Sequence, residues 1–121
     1  MRRALGALLE QAAFGRAWVI QDPGPVGYMV VAFGYSIEFG GRDAFLDELF
    51  ISPDHRGRGL GTQALEVATQ ACREAGIVAL HLEVERSNTA AQQLYRARGF
   101  VDHDRYLMTR RISDRPAPTA P

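Results

Sequence analysis

The chain has 121 residues, 14 basic and 14 acidic side chains and hence no formal net charge, with 46% hydrophobic residues. This is enough apolar material for one domain that buries roughly two thirds of its unfolded surface. The balanced charge gives no electrostatic ground for a nucleic-acid or anionic-membrane partner. One cysteine, Cys72, excludes an internal disulfide, and no run is apolar and long enough for a membrane span or a secretory leader, so a cytoplasmic location is expected.

Ala4-Leu5, Leu8-Leu9 and Ala12-Ala13 recur at helical spacing and predict a short amphipathic helix from Arg3 to Ala13. Arg16 to Gln21 and Val26 to Tyr35 read as two strands. Asp22-Pro23-Gly24-Pro25 supplies the turn between them, so they form an antiparallel hairpin. The segment Ser36 to Asp43 reads as a loop, and Phe45 to Ile51 as a strand carrying Asp47 and Glu48. Regular alternation in that strand puts Asp47, Leu49 and Ile51 on one face and Glu48 with Phe50 on the other, unless a bulge intervenes.

From Leu60 onward, Ala64, Val67-Ala68, Ala71-Cys72 and Ala75 make an apolar helical stripe that Gly76 stops. Ile77 to Val84 reads as a buried strand interrupted by His81. Neither His55 nor His103 is spaced to join His81 around an ion, and no metal is expected. Ser87-Asn88-Thr89 caps a helix through Tyr95 to Arg98, with Gly99 as its stop. Phe100 to His103 and Arg105 to Arg111 read as closing antiparallel strands. The domain is thus expected over residues 1–112, and residues 113–121, rich in proline and alanine, as a disordered tail. There is no internal repeat.

The stretch from Asp47 to Thr62 organises the rest. An apolar strand with two acids runs into a loop holding Arg56, Gly57, Arg58, Gly59 and Gly61, and then a helix begins. Glycines let the backbone approach a ligand closely, the first N–H groups of the helix have no internal partner, and the helix dipole favours an anion there. Arginines add forked donors suited to phosphate oxygens. A Walker loop is excluded because the chain contains no lysine. A dinucleotide fingerprint fits Gly57, Gly59 and the downstream Glu83 but fails at Thr62, where a third glycine belongs.

Arg56-x-x-Gly59-x-Gly61 resembles the Arg/Gln-x-x-Gly-x-Gly/Ala coenzyme A pyrophosphate signature of the GNAT (Gcn5-related N-acetyltransferase) family. Leu82-Glu83-Val84, Asn88, Ala91, Leu94-Tyr95 and Gly99-Phe100 follow in the order of that family's second half. The acidic strand from Leu46 to Ile51 is similar to that of the diamine acetyltransferase-like branch. The resemblance runs from about Val26 to Ile112. It implies an α/β fold (α+β by some schemes): a mixed, mostly antiparallel sheet with a splayed parallel pair and helices on both faces.

By the same resemblance the chain transfers an acetyl group from acetyl-CoA to a primary amine of a small molecule or peptide. Asp47 is implied as base and Glu48 as an acceptor-binding acid, with Tyr95 facing the coenzyme sulfur. Backbone groups of Leu49, Phe50 and Ile51 would pair with the pantetheine arm, with Asn88 on the other wall. Arg56, Gly57, Arg58, Gly59, Leu60, Gly61 and Thr62 would take the pyrophosphate, and Glu38 and Phe39 would border the acceptor. Family members begin with a strand and helix before the helix expected at Arg3 to Ala13. Their absence from this sequence suggests a late start, a reduced acceptor site, or a homodimer that covers the open sheet edge, the last being preferred. The alternative class is a non-catalytic acyl-CoA sensor or regulatory module, which would need the phosphate loop but neither the acids nor Tyr95.

Overall fold

The computed structural model describes residues 14–113; the helix expected at Arg3 to Ala13 and all but the first residue of the expected tail lie outside them. Among the described residues, four strands and two helices follow in order: β1 (Gly15–Gln21), β2 (Pro25–Ser36), β3 (Gly41–Ile51), α1 (Leu60–Glu74), β4 (Ala79–His81) and α2 (Thr89–Ala97). A short 3₁₀ turn, Pro53–His55, joins β3 to the loop before α1. The sheet order is β1-β2-β3-β4, antiparallel across the first three strands and parallel between β3 and β4. The mixed sheet with one parallel pair is the architecture expected.

Side-chain periodicity assembles the core. Met29 and Val31 of β2 alternate onto one face of the sheet, Ala44 and Leu46 of β3 lie beside them, and Ala64, Leu65, Ala68 and Cys72 of α1 cover them. Met29, Leu65 and Val31 are fully enclosed, each contributing about 1.5–3 kcal/mol of burial. Gly76, at φ +75°, ends α1. The Ile77 N–H donates to the Cys72 carbonyl at 2.9 Å and the Gly76 N–H to the Arg73 carbonyl at 3.1 Å, the paired bonds of a Schellman stop. That stop delivers Ile77 into the core.

β3 carries a bulge. Val30 of β2 faces Glu48 and Val31 faces Leu46, so Asp47 is an additional residue with no opposite number in the ladder. Before the bulge, Ala44 and Leu46 face the core; after it, Leu49 and Ile51 do. The parity change puts both Asp47 and Glu48 on the opposite face, with Phe45 and Phe50. The simple alternation that separated the two acids is therefore corrected.

The parallel ladder is short. It runs from Asp43↔Ala79 to Phe45↔His81 and stops, although β3 continues to Ile51. A bulge bends its strand and increases local twist, and here it lies immediately beyond the last rung. The strand expected over Ile77 to Val84 is accordingly reduced to Ala79–His81, and the two chains diverge into an open V.

The closing strands expected at Phe100 to His103 and Arg105 to Arg111 do not form. Alternating apolar residues make a strand only where a neighbouring backbone completes their hydrogen bonds. A turn breaks this run: the Asp104 N–H donates to the Asp102 carboxylate at 2.8 Å, with Asp104 at φ +50°. Tyr106 and Met108 remain 84% and 89% exposed.

Candidate active site

The loop after β3 is shaped by its own side chains. Arg56 Nε donates to the Ile51 carbonyl at 2.8 Å, closing the turn, and its guanidinium carbon lies 5.9 Å from the centre of the Phe50 ring. Gly57 and Gly59 sit at φ +79° and +80°, with open space where a side chain would project. Only glycine takes that left-handed conformation without strain. Gly59 is also the N-cap of α1 and provides no side-chain acceptor to the helix. The N–H groups of Leu60, Gly61 and Thr62 thus have no intrahelical partner, and the Gln63 N–H makes the first helical bond, to the Gly59 carbonyl at 3.0 Å.

These residues surround an open pocket of about 280 Å³, bounded by Ile51, His55, Arg56, Gly57, Gly59, Leu60, Gly61, Thr62 and Leu94. Its rim offers backbone donors and the positive end of a helix, a combination that fits phosphate oxygens. Of the predicted pyrophosphate residues, all but Arg58 line it. Arg58 instead reaches back to the turn between β1 and β2, where its guanidinium lies 3.4 Å from the Asp22 carboxylate. His55 and Leu94 line the pocket without having been assigned to the pyrophosphate site. The signals for them were adjacency to Arg56 in the loop and to Tyr95 on α2.

The predicted strand residues divide by face. Leu49 packs against the core, and Ile51 reaches the pocket, its Cδ1 3.6 Å from where a Gly61 Cβ would stand. Phe50 stacks on Tyr28 at 5.7 Å on the opposite face. Asp47 is exposed at the bulge and Glu48 is half-buried beside it, both at the mouth of the V.

On α2, the Asn88 side chain accepts from the Ala91 N–H at 3.2 Å and so caps the helix. Tyr95 is half-buried, packs edge-on to Phe100 at 5.8 Å, and has its phenol pushed above the ordinary tyrosine value by burial. Glu38 and Phe39 lie in the turn before β3. Glu38 holds Arg105 with two contacts of 3.2 and 3.3 Å, a bond and charge that keep its carboxyl below the usual range. Phe39 stands 5.2 Å from the His81 ring. Neither lines the phosphate pocket.

The model of the acetyltransferase (GNAT) family matches residues 2–100 of the chain. The chain belongs to the GNAT family. Among curated GNAT relatives, bovine (Bos taurus) thialysine N-epsilon-acetyltransferase is 33% identical over 82 residues, covering 68% of this chain and 48% of the relative. The [ribosomal protein bS18]-alanine N-acetyltransferase of Salmonella typhimurium is 41% identical over 58 residues, covering 48% of this chain and 39% of the relative. The chain spans about half the length of the curated relatives it matches. Integron cassette protein HFX_CASS3, from the mobile metagenome of Cole Harbour Salt Marsh, superposes with a TM-score of 0.80 at 35% identity, over 93% of this chain and 70% of that one. The aminoglycoside N-acetyltransferase AAC(6')-Iy, solved in complex with CoA, shares the fold with a TM-score of 0.73 at 21% identity, over 93% of this chain and 88% of that one.

Proposed function

We propose that the chain is an N-acetyltransferase that moves an acetyl group from acetyl-CoA directly to a primary amine. The observation that carries this reading is the pocket at the start of α1, where two left-handed glycines and uncapped helix N–H groups face the same space. Gly57, Gly59, Leu60, Gly61 and Thr62 would hold the pyrophosphate, and Arg56 would keep the loop closed around it. Acetyl-CoA, when bound, supplies the activated acyl group.

An alkylamine near pKa ~10.4 is free base about once in ~2,500 molecules at pH 7, a deficit of roughly 4.6 kcal/mol. The paired carboxylates at the bulge offset part of it. Glu48 would draw the cationic acceptor and Asp47, directly or through a water, would take its proton. Glu38 and Phe39, in the turn before β3, would border the acceptor. Tyr95, kept protonated by burial, would act first as a hydrogen-bond donor to the departing sulfur.

The relatives' names point to thialysine, an alanine of ribosomal protein bS18, and aminoglycosides as acceptors of those proteins. A primary amine of a small molecule or peptide is the common class. The reading also includes a cytoplasmic homodimer, which light scattering on a size-exclusion column would test. The deciding experiment is isothermal titration with acetyl-CoA, followed by thiol release against a panel of amines. Binding with amine-dependent release is expected. Binding without release would favour the acyl-CoA sensor, and absence of binding would overturn both readings.

A further inference from the structure

One pair of side chains has no part in the roles above. His81 ends β4 and stands opposite Phe45 on the last rung of the parallel ladder, where the V opens. Its Nε2 lies 3.1 Å from Asp43 Oδ2, with the two side chains only 22% and 19% exposed. Gly34 of β2 faces Asp43, and a Cβ there would stand 2.9 Å from Asp43 Oδ1, so the missing side chain leaves room for this carboxylate. The Phe39 and Phe45 rings lie 5.2 and 5.6 Å from the imidazole and fix its plane.

A carboxylate that accepts the Nε2 proton leaves the lone pair on Nδ1. Asp43, Phe45, Asp47 and His81 share the sheet face away from α1, since Asp43 stands over Gly34 and Phe45 pairs with His81. Asp47 is two residues beyond Phe45, so strand spacing sets a minimum of about 8 Å between its Cα and that of His81, which the bend at the bulge lengthens. Two such side chains bridge that span with one water. The groups against His81 are Asp43 and Phe45 of β3 and Phe39 of the preceding turn, with Glu38 near enough to feel its charge; His103 packs on Phe39, Arg105 holds Glu38, Glu83 follows two residues on, and Asp47 shares the face. Glu38 is paired with Arg105, which leaves Asp43 as the carboxylate in hydrogen-bond contact with the imidazole.

We infer that His81, held by Asp43, receives the proton given up by the acceptor ammonium, taking it from Asp47 through a water and restoring that carboxylate. The inference rests on the acetyltransferase reading. In balance, one ammonium proton passes to Asp47, then to His81 Nδ1 and on to solvent. The freed nitrogen lone pair forms the C–N bond, the C–S bond breaks with its electrons on sulfur, and the second nitrogen proton ends on that thiolate. Imidazole holds a proton near neutral pH, where a carboxylate in water does not, so the transfer to His81 is the less uphill one. His81 is a proton-transfer residue, and Asp43 is a positioning residue acting through it.

The test measures kcat and KM from pH 5.5 to 9.5 for the wild type, His81→Gln and Asp43→Asn, with acetyl-CoA affinity by titration calorimetry. His81→Gln can still donate to Asp43 but cannot carry the proton. It is expected to lower kcat at least tenfold, with acetyl-CoA affinity within twofold and the ascending limb of kcat lost. Asp43→Asn removes the negative charge 3.1 Å from the imidazole and is expected to move that limb to lower pH, which a purely structural role would not do. A kcat within twofold and an unchanged limb in His81→Gln would overturn the inference. Should that variant fail to bind acetyl-CoA, an unmoved limb in Asp43→Asn would overturn it alone. A wild type inactive on every amine would instead overturn the acetyltransferase reading itself.

Discussion

Replacing Gly59 with alanine puts a Cβ on a residue held at φ +80°, where nothing lies within 4 Å of the new atom. The penalty is therefore conformational rather than steric. The left-handed region costs an L-residue about 1–2 kcal/mol, and the stiffer unfolded chain returns ~0.4–1 kcal/mol, leaving a net loss of about 1 kcal/mol. For a domain of this length that lowers Tm by roughly 4 °C. Relaxation of φ also turns the first N–H groups of α1 away from the pocket. Each hydrogen bond to a charged phosphate is worth about 1.5–3 kcal/mol, so losing one weakens acetyl-CoA binding about tenfold or more. Gly61→Ala is the matched control: Gly61 is not at positive φ, and its Cβ would meet Ile51 Cδ1 at an ordinary 3.6 Å. That variant should keep its affinity within twofold and its Tm at or above the wild-type value, because alanine is the better helix former. Thermal circular dichroism and calorimetric titration on both proteins decide it. Wild-type Tm and affinity in Gly59→Ala, or equal losses in the two variants, would refute the reasoning.

Asp47→Asn should lower kcat by about a hundredfold or more while leaving acetyl-CoA affinity unchanged, read by thiol release. Tyr95→Phe should fold normally and lose about tenfold or more in kcat, with the same coenzyme affinity. Burial raises the Cys72 thiol and the Tyr95 phenol above their ordinary values in the folded chain. Both bind their protons more tightly folded than unfolded, so their contribution is complete below about pH 9 and is lost as pH rises through the raised values. Urea unfolding from pH 7 to 11 should show that decline, and native Cys72 should react with a thiol reagent far more slowly than the unfolded chain. At Gly27 of β2, an added Cβ would collide with the backbone carbonyl oxygen of Phe50. Gly27→Ala should thus destabilise by about 1–3 kcal/mol in the same assay.

Local chemistry made much of this molecule legible. Proline and glycine at 22–25 announced the hairpin, the spacing of Ala64, Ala68 and Cys72 announced the covering helix, and Gly76 and Asn88 announced a stop and a cap. The phosphate loop was legible for the same reason, since its geometry depends on glycines within a few positions of one another. Charge alone misled for the arginines. Arg56 and Arg58 have the same donors, but one turns inward to the Ile51 carbonyl and the other crosses to Asp22. Pairing partners distant in sequence were equally hidden. Asp43 and His81 are 38 positions apart, and nothing in either neighbourhood names the other. Strand ends failed where a neighbour was needed: Leu82 to Val84 has strand composition, but β3 has already bent away.

The bulge has a further consequence for which length changes the sheet tolerates. Removing Asp47 would bring Leu46 directly before Glu48, with Val31 and Val30 already opposite them. The ladder would close without a gap, and Leu49 and Ile51 would keep their face. Asp47 is thus a residue that strand pairing can do without, and its deletion should yield a folded chain with a straighter β3. The same one-residue loss at Ala44 would reverse every side chain between it and the bulge, and at Leu46 it would bring Asp47 opposite Val31 on the core face. A deletion scan along β3 should therefore find one permissive position, and it is the position that carries the carboxylate.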